Sequence, residues 1–98
     1  MSYLQKIQDL EELRQIFDDA APHDDTAAIH DFMDGYRGDI QLFITDFFEF
    51  LDPSYFHRFG INYWAGSLDA IIEYSDDPEK LSSIAANKSE QYKGVWYM

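Results

Sequence analysis

Asp39-Ile40-Gln41-Leu42-Phe43-Ile44-Thr45-Asp46-Phe47-Phe48-Glu49-Phe50-Leu51 decides the fold of this chain. The eight apolar residues of this stretch (Ile40, Leu42, Phe43, Ile44, Phe47, Phe48, Phe50 and Leu51) leave a narrow polar stripe of Gln41, Thr45, Asp46 and Glu49 at helical spacing. A helix apolar on every side but one needs neighbours around it, so this segment is read as the central helix of a bundle. Asp39 stands where a helix N-cap belongs.

Working toward the N-terminus, Leu4, Ile7, Leu10, Leu13, Ile16 and Phe17 recur every three or four positions and predict one helical face over 2–20. Ala21-Pro22-His23 breaks that helix. Asp24, Asp25 or Thr26 can cap the next one, with Ile29, Phe32, Met33 and Tyr36 as its inward stripe, before Gly35 and Gly38 loosen the chain. Toward the C-terminus, Asp52-Pro53 pairs a cap with a proline at the first helical position, which predicts a short helix over 54–59 ended by Gly60. The segment 61–66 reads as an aromatic loop, and Ser67 starts a helix with Leu68, Ile71 and Ile72 facing inward as far as Tyr74. Asp77-Pro78-Glu79 repeats the cap-and-proline start, Leu81, Ile84 and Ala85 continue it, and Gly94 is expected to stop it near Tyr92. The expected fold class is all-α, a single domain over 1–98 with five to six short helices. The apolar pieces Phe59 to Trp64 and Val95 to Met98 could pair as a minor β element near the C-terminus.

At 98 residues the chain has room for one core only. It carries 19 acidic and 7 basic side chains, a net charge of −12, which argues against direct contact with nucleic acid or an anionic membrane and for a basic protein partner. Hydrophobic residues at 46% and aromatics at 17% are too abundant for a disordered acidic tail. No cysteine is present, and Met1 to Lys6 lacks the basic start and apolar run of a secretory signal, so a cytoplasmic setting is expected. In that setting the sequon Asn87-Lys88-Ser89 carries no meaning.

The charge is polarised along the chain. Residues 1–52 hold thirteen acids and three bases, a charge of −10, while residues 53–98 hold six and four, a charge of −2. Asp24, Asp25, Asp39 and Asp52 sit where caps belong, each worth about 1 kcal/mol to its helix. Asp18 and Asp19 have no such reason, because the last turn of a helix disfavours anions. Asp31 and Asp34, and likewise Asp46 and Glu49, are like-charged pairs three residues apart on one helical face. Acids at locally unfavourable positions point to a cationic partner; the alternative is an acidic surface that serves solubility.

Catalytic or metal chemistry finds little support in the sequence. His23, His30 and His57 lie in no recognisable motif, and His30 with Asp34 supplies only two ligands from one helical face. There is no phosphate-cradling glycine loop, nucleophile elbow or zinc-protease helix, so no enzyme and no cofactor are expected. Tyr63, Trp64, Trp96 and Tyr97 could serve as interface anchors or fill the second half of the core.

The run Tyr63-Trp64-Ala65-Gly66-Ser67-Leu68-Asp69-Ala70-Ile71-Ile72-Glu73 resembles the aromatic-loop-to-helix signature of the barstar family, small acidic inhibitors of secreted ribonucleases. The family's run reads Tyr-Tyr-Gly-x-Asn-Leu-Asp-Ala-Leu-Trp-Asp, and Ala65, Ser67 and Ile72 depart from it. The likeness implies inhibitory roles for Tyr63, Asp69 and Glu73, and it extends over these residues alone, so the family's α/β fold is not carried over. More broadly the chain resembles short acidic immunity and antitoxin-type proteins that neutralise bacterial nuclease toxins. The expected function is an immunity or inhibitor protein that covers the cationic cleft of a basic nuclease, in the first place a ribonuclease. Its expected contact residues are Asp18, Asp19, Asp31, Asp34, Asp46, Glu49, Tyr63, Asp69 and Glu73. The alternatives are a phage-type DNA mimic, of the anti-restriction or anti-CRISPR kind, and an acidic helical adaptor.

Overall fold

The computed structural model describes residues 3–20, 25–56 and 65–96. Five α-helices and one short 3-10 helix follow in order: α1 Tyr3–Ala20, α2 Ala27–Gly35, α3 Ile40–Phe50, the 3-10 helix Pro53–Phe56, α4 Ala65–Ile72 and α5 Pro78–Trp96. No strand occurs among the described residues, and the fold is all-α.

Helix α3 is the hub. Phe43, Ile44, Phe47 and Phe48 are each at most 1% exposed, and its rings reach the surrounding elements: Phe47 meets Phe17 of α1 edge-on at 5.1 Å, Phe43 stacks with Tyr36 at 4.4 Å, and Phe48 meets Phe56 of the 3-10 helix at 5.6 Å. Burying such a ring stabilises by about 1.5–3 kcal/mol, so these contacts, rather than helix propensity, fix the bundle. Around the hub α1 packs on α2, α2 on α4, and α5 on both α3 and the 3-10 helix.

The helix starts follow local chemistry. Asp39 Oδ1 accepts from Leu42 N (3.1 Å), Asp52 Oδ1 from Ser54 N (3.0 Å) and Asp77 Oδ1 from Lys80 N (3.2 Å), so each of these acids satisfies an otherwise unpaired backbone donor. At α2 the cap position falls to Thr26, whose side chain makes no capping bond, while Asp25 Oδ1 accepts from Ala27 N at 3.0 Å. Asp24 lies outside the described residues.

Several boundaries differ from the sequence reading. Helix α4 begins at Ala65, and Ser67 is buried rather than capping, because Ser67, Ala70 and Ile71 form the face that enters the core. The turn after α4 tightens, with Tyr74 N and Ser75 N bonding three residues back to Ile71 O and Ile72 O. Helix α5 runs through Gly94 to Trp96, so Gly94 is no stop, and Val95 and Trp96 are helical rather than extended. A helical glycine costs about 1 kcal/mol against alanine, which a helix of this length absorbs. The minor β element has no counterpart in the helical backbone of Val95 and Trp96; its other partner, 59–64, lies outside the described residues.

The polar stripe of α3 is also divided. Gln41 is half-buried because its amide clips the α4–α5 turn, Nε2 donating to Tyr74 O (2.9 Å) and Oε1 accepting from Asp76 N (3.0 Å). Leu42 is 54% exposed in its stead. At the other end of α3, Lys88 Nζ reaches from α5 to donate to Glu49 O and Leu51 O (2.6 and 3.0 Å), satisfying carbonyls that the end of α3 leaves open.

Candidate functional site

The carboxylates singled out in the sequence fall into three groups once the chain is folded. The first is consumed internally. Asp18 Oδ2 accepts from Arg14 Nη1 (3.1 Å) and its Oδ1 from the Tyr55 hydroxyl (2.8 Å), so an acid that seemed to bring folding nothing ties the end of α1 to the 3-10 helix. The same guanidinium donates to Glu11, and that bond is the chief reason the Arg14 pKa lies above its ordinary value. Asp46 is likewise paired, with Lys6 across the α1–α3 contact. Both acids, expected as contact residues, already have a cation of this chain beside them.

The second group gathers around α2. The Tyr74 hydroxyl, carried on the turn after α4, donates to Asp34 Oδ1 at 2.7 Å and lies 3.1 Å from His30 Nδ1. Its pKa is pushed up to about 12, first by the hydrogen bond to Asp34 and by burial, then by the negative charges of Asp34, Glu73 and Asp31. Three acids from two helical regions therefore act on one phenol. Asp69 is exposed one helical turn before Glu73, whose backbone N–H it accepts at 3.1 Å.

The third group does not join them. Asp19 is exposed at the end of α1 and accepts from Gln15 Nε2 (3.2 Å), about 10 Å along the helix from Glu12 at 1.5 Å per residue. Glu49 is exposed near the end of α3, on the side where Lys88 approaches the backbone. Tyr63, His23, His57 and Trp64 lie outside the described residues.

Beside Asp31 the contact of α1 and α2 leaves a groove of about 410 Å³. Asp9, Glu12 and Asp31 line it together with the half-buried rings of Phe32 and Tyr36, and Arg37 is the one cation among its described lining residues. Burial, and next the charge of Asp9, raise the Tyr36 pKa above its ordinary value. Sequence reasoning passed over Asp9 and Glu12, although Gln5, Asp9 and Glu12 form an i, i+4, i+7 polar stripe that places them on one face. It also passed over Arg14, four residues before Asp18, the spacing of a helical ion pair.

Among the described residues no group of three or more His, Cys, Asp or Glu side chains is placed to hold a metal ion, and no helix is long and apolar enough to cross a membrane. Comparison with protein-family models, with curated proteins and with solved structures finds no match.

Proposed function

We propose that this protein is an inhibitor of the immunity or antitoxin type, which binds a basic nuclease in the cytoplasm and occupies its cationic nucleic-acid-binding cleft without itself performing chemistry. The observation that carries this reading is the hydrogen bond of the Tyr74 hydroxyl to Asp34 beside the exposed acids Asp31 and Glu73, with Asp9 and Glu12 lining the neighbouring groove. None of these five acids forms an ion pair among the described residues, unlike Asp18 and Asp46. A cleft built to hold phosphates focuses positive potential, so an acidic face of this kind associates fast and competes for the same lysines and arginines.

The contact set implied keeps Asp31, Asp34, Asp69 and Glu73 of those expected from sequence and adds Asp9 and Glu12. The test is inhibition of RNA cleavage by a panel of purified basic bacterial ribonuclease domains, measured at low and high salt. Combined Asp31→Asn, Asp34→Asn and Glu73→Gln changes are expected to weaken inhibition by about tenfold or more, with weaker salt dependence. Combined Asp18→Asn and Asp46→Asn changes should leave inhibition in place. Equal losses in the two sets, or inhibition indifferent to salt, would overturn the reading, and inhibition of several unrelated DNA-binding proteins instead would support phosphate mimicry.

A further inference from the structure

We infer that the α1–α2 groove is a seat for a single arginine side chain of the basic partner, a deepening that rests on the inhibitor reading above. Its walls suit that one chemistry. Asp9, Glu12 and Asp31 provide carboxylates, and Phe32 and Tyr36 provide half-buried aromatic surface, with Tyr36 held by its 4.4 Å stack on Phe43. A guanidinium is flat, weakly hydrated, able to pair with carboxylates and inclined to lie against aromatic rings, whereas a lysine ammonium is a compact, strongly hydrated charge.

The two glycines of the groove give a separate reason. Gly35 lies in the last turn of α2 with ordinary helical backbone, and a Cβ there would meet nothing within 4 Å. Neither conformation nor packing asks for glycine at this position, which uses the poorest helix former after proline. Gly35 lines the groove, and its lack of a side chain leaves the space beside it open. At Gly38 a Cβ would come within 2.9 Å of Tyr36 Cε2, so that glycine leaves the Tyr36 ring in its place. Arg37 stands along the groove with no partner of its own among the described residues, and the carboxylates outnumber it three to one.

The experiment uses the full chain with nona-arginine and nona-lysine peptides as probes, followed by amide chemical shifts and titration calorimetry at low salt. Nona-arginine is expected to shift the amides of 31–38 and 5–12 first and to bind about threefold or more tighter than nona-lysine. Gly35→Leu should fill the groove, weaken nona-arginine by about tenfold, and leave the helical circular dichroism and melting temperature unchanged or raised. Should Gly35→Leu unfold, the shift map of the unaltered protein decides alone. Shifts centred on Asp34, Asp69 and Glu73 instead, or a Gly35→Leu protein that binds as before, would overturn the groove while leaving the acidic-face reading standing. No binding of either peptide would remove both.

Discussion

The Tyr55 hydroxyl donates to Asp18 Oδ1 at 2.8 Å across 37 residues of sequence, fastening the last turn of α1 to the 3-10 helix. Arg14 completes the arrangement from the preceding turn of α1. Tyr55→Phe and Asp18→Asn are each expected to lower stability by about 1–2 kcal/mol, the range for a part-buried hydrogen bond with one charged partner. Their double mutant should lose less than the sum, because the two changes remove one shared interaction. Urea unfolding of the four proteins measures this, and additive losses would mean that the two groups do not act on each other.

Lys6 and Asp46 form a pair that is only partly shielded from water, with side chains 37% and 29% exposed. Such pairs contribute about 0–1 kcal/mol and weaken with salt. Lys6→Met should therefore change the urea midpoint little, and the small change should shrink further at high ionic strength. A loss above about 2 kcal/mol would place this pair among the buried kind instead.

Tyr74 is expected to make the stability of the protein sensitive to alkali. Its folded pKa, about 12, lies above the ordinary 10.0, so the folded state holds the phenolic proton more tightly than the unfolded chain. The resulting stabilisation is complete below pH 10 and is lost as pH climbs toward 12. Tyr36 and Tyr55 are raised as well, chiefly by burial, so they add to the same decline. Melting temperatures between pH 8 and about pH 12 should fall less steeply for Tyr74→Phe than for the unaltered chain. An identical slope in both would show that the phenol titrates alike in the two states.

Gln41 joins α3 to the α4–α5 turn through both ends of its amide. Gln41→Leu leaves Tyr74 O and Asp76 N without that partner, at a cost of about 1–3 kcal/mol reduced by whatever water can reach them. Faster hydrogen exchange at Asp76, with core amides of α3 unaffected, is the expected signature. Uniform acceleration through α3 would indicate global loosening.

Phe47 is fully buried between Phe17 and Phe43. Phe47→Ala should cost about 3–5 kcal/mol through lost transfer energy and the cavity left behind. For a domain whose total stability is about 5–15 kcal/mol, that is a large share, and a clearly lowered urea midpoint is the expected outcome. A loss below about 1.5 kcal/mol would mean that α3 is not the hub.

The sequence by itself determined the helices, most of their starts and the central place of α3. These depend on neighbours within about four residues: the three-and-four spacing of Leu10, Leu13 and Phe17, the cap offered by Asp39, and the proline after Asp52 and after Asp77. The Arg14–Asp18 pair, one turn apart on α1, is equally local, although the sequence reading passed over it. Only the tertiary structure decided which carboxylates are already taken and which look outward together. Lys6 meets Asp46 forty residues away and Tyr74 meets Asp34 at the same separation, so the availability of each charge follows from how α1, α2, α3 and the turn after α4 pack. Charge count is a local property of a chain, whereas the field that a partner meets depends on distances between residues remote in sequence, and those distances exist only once the core has closed.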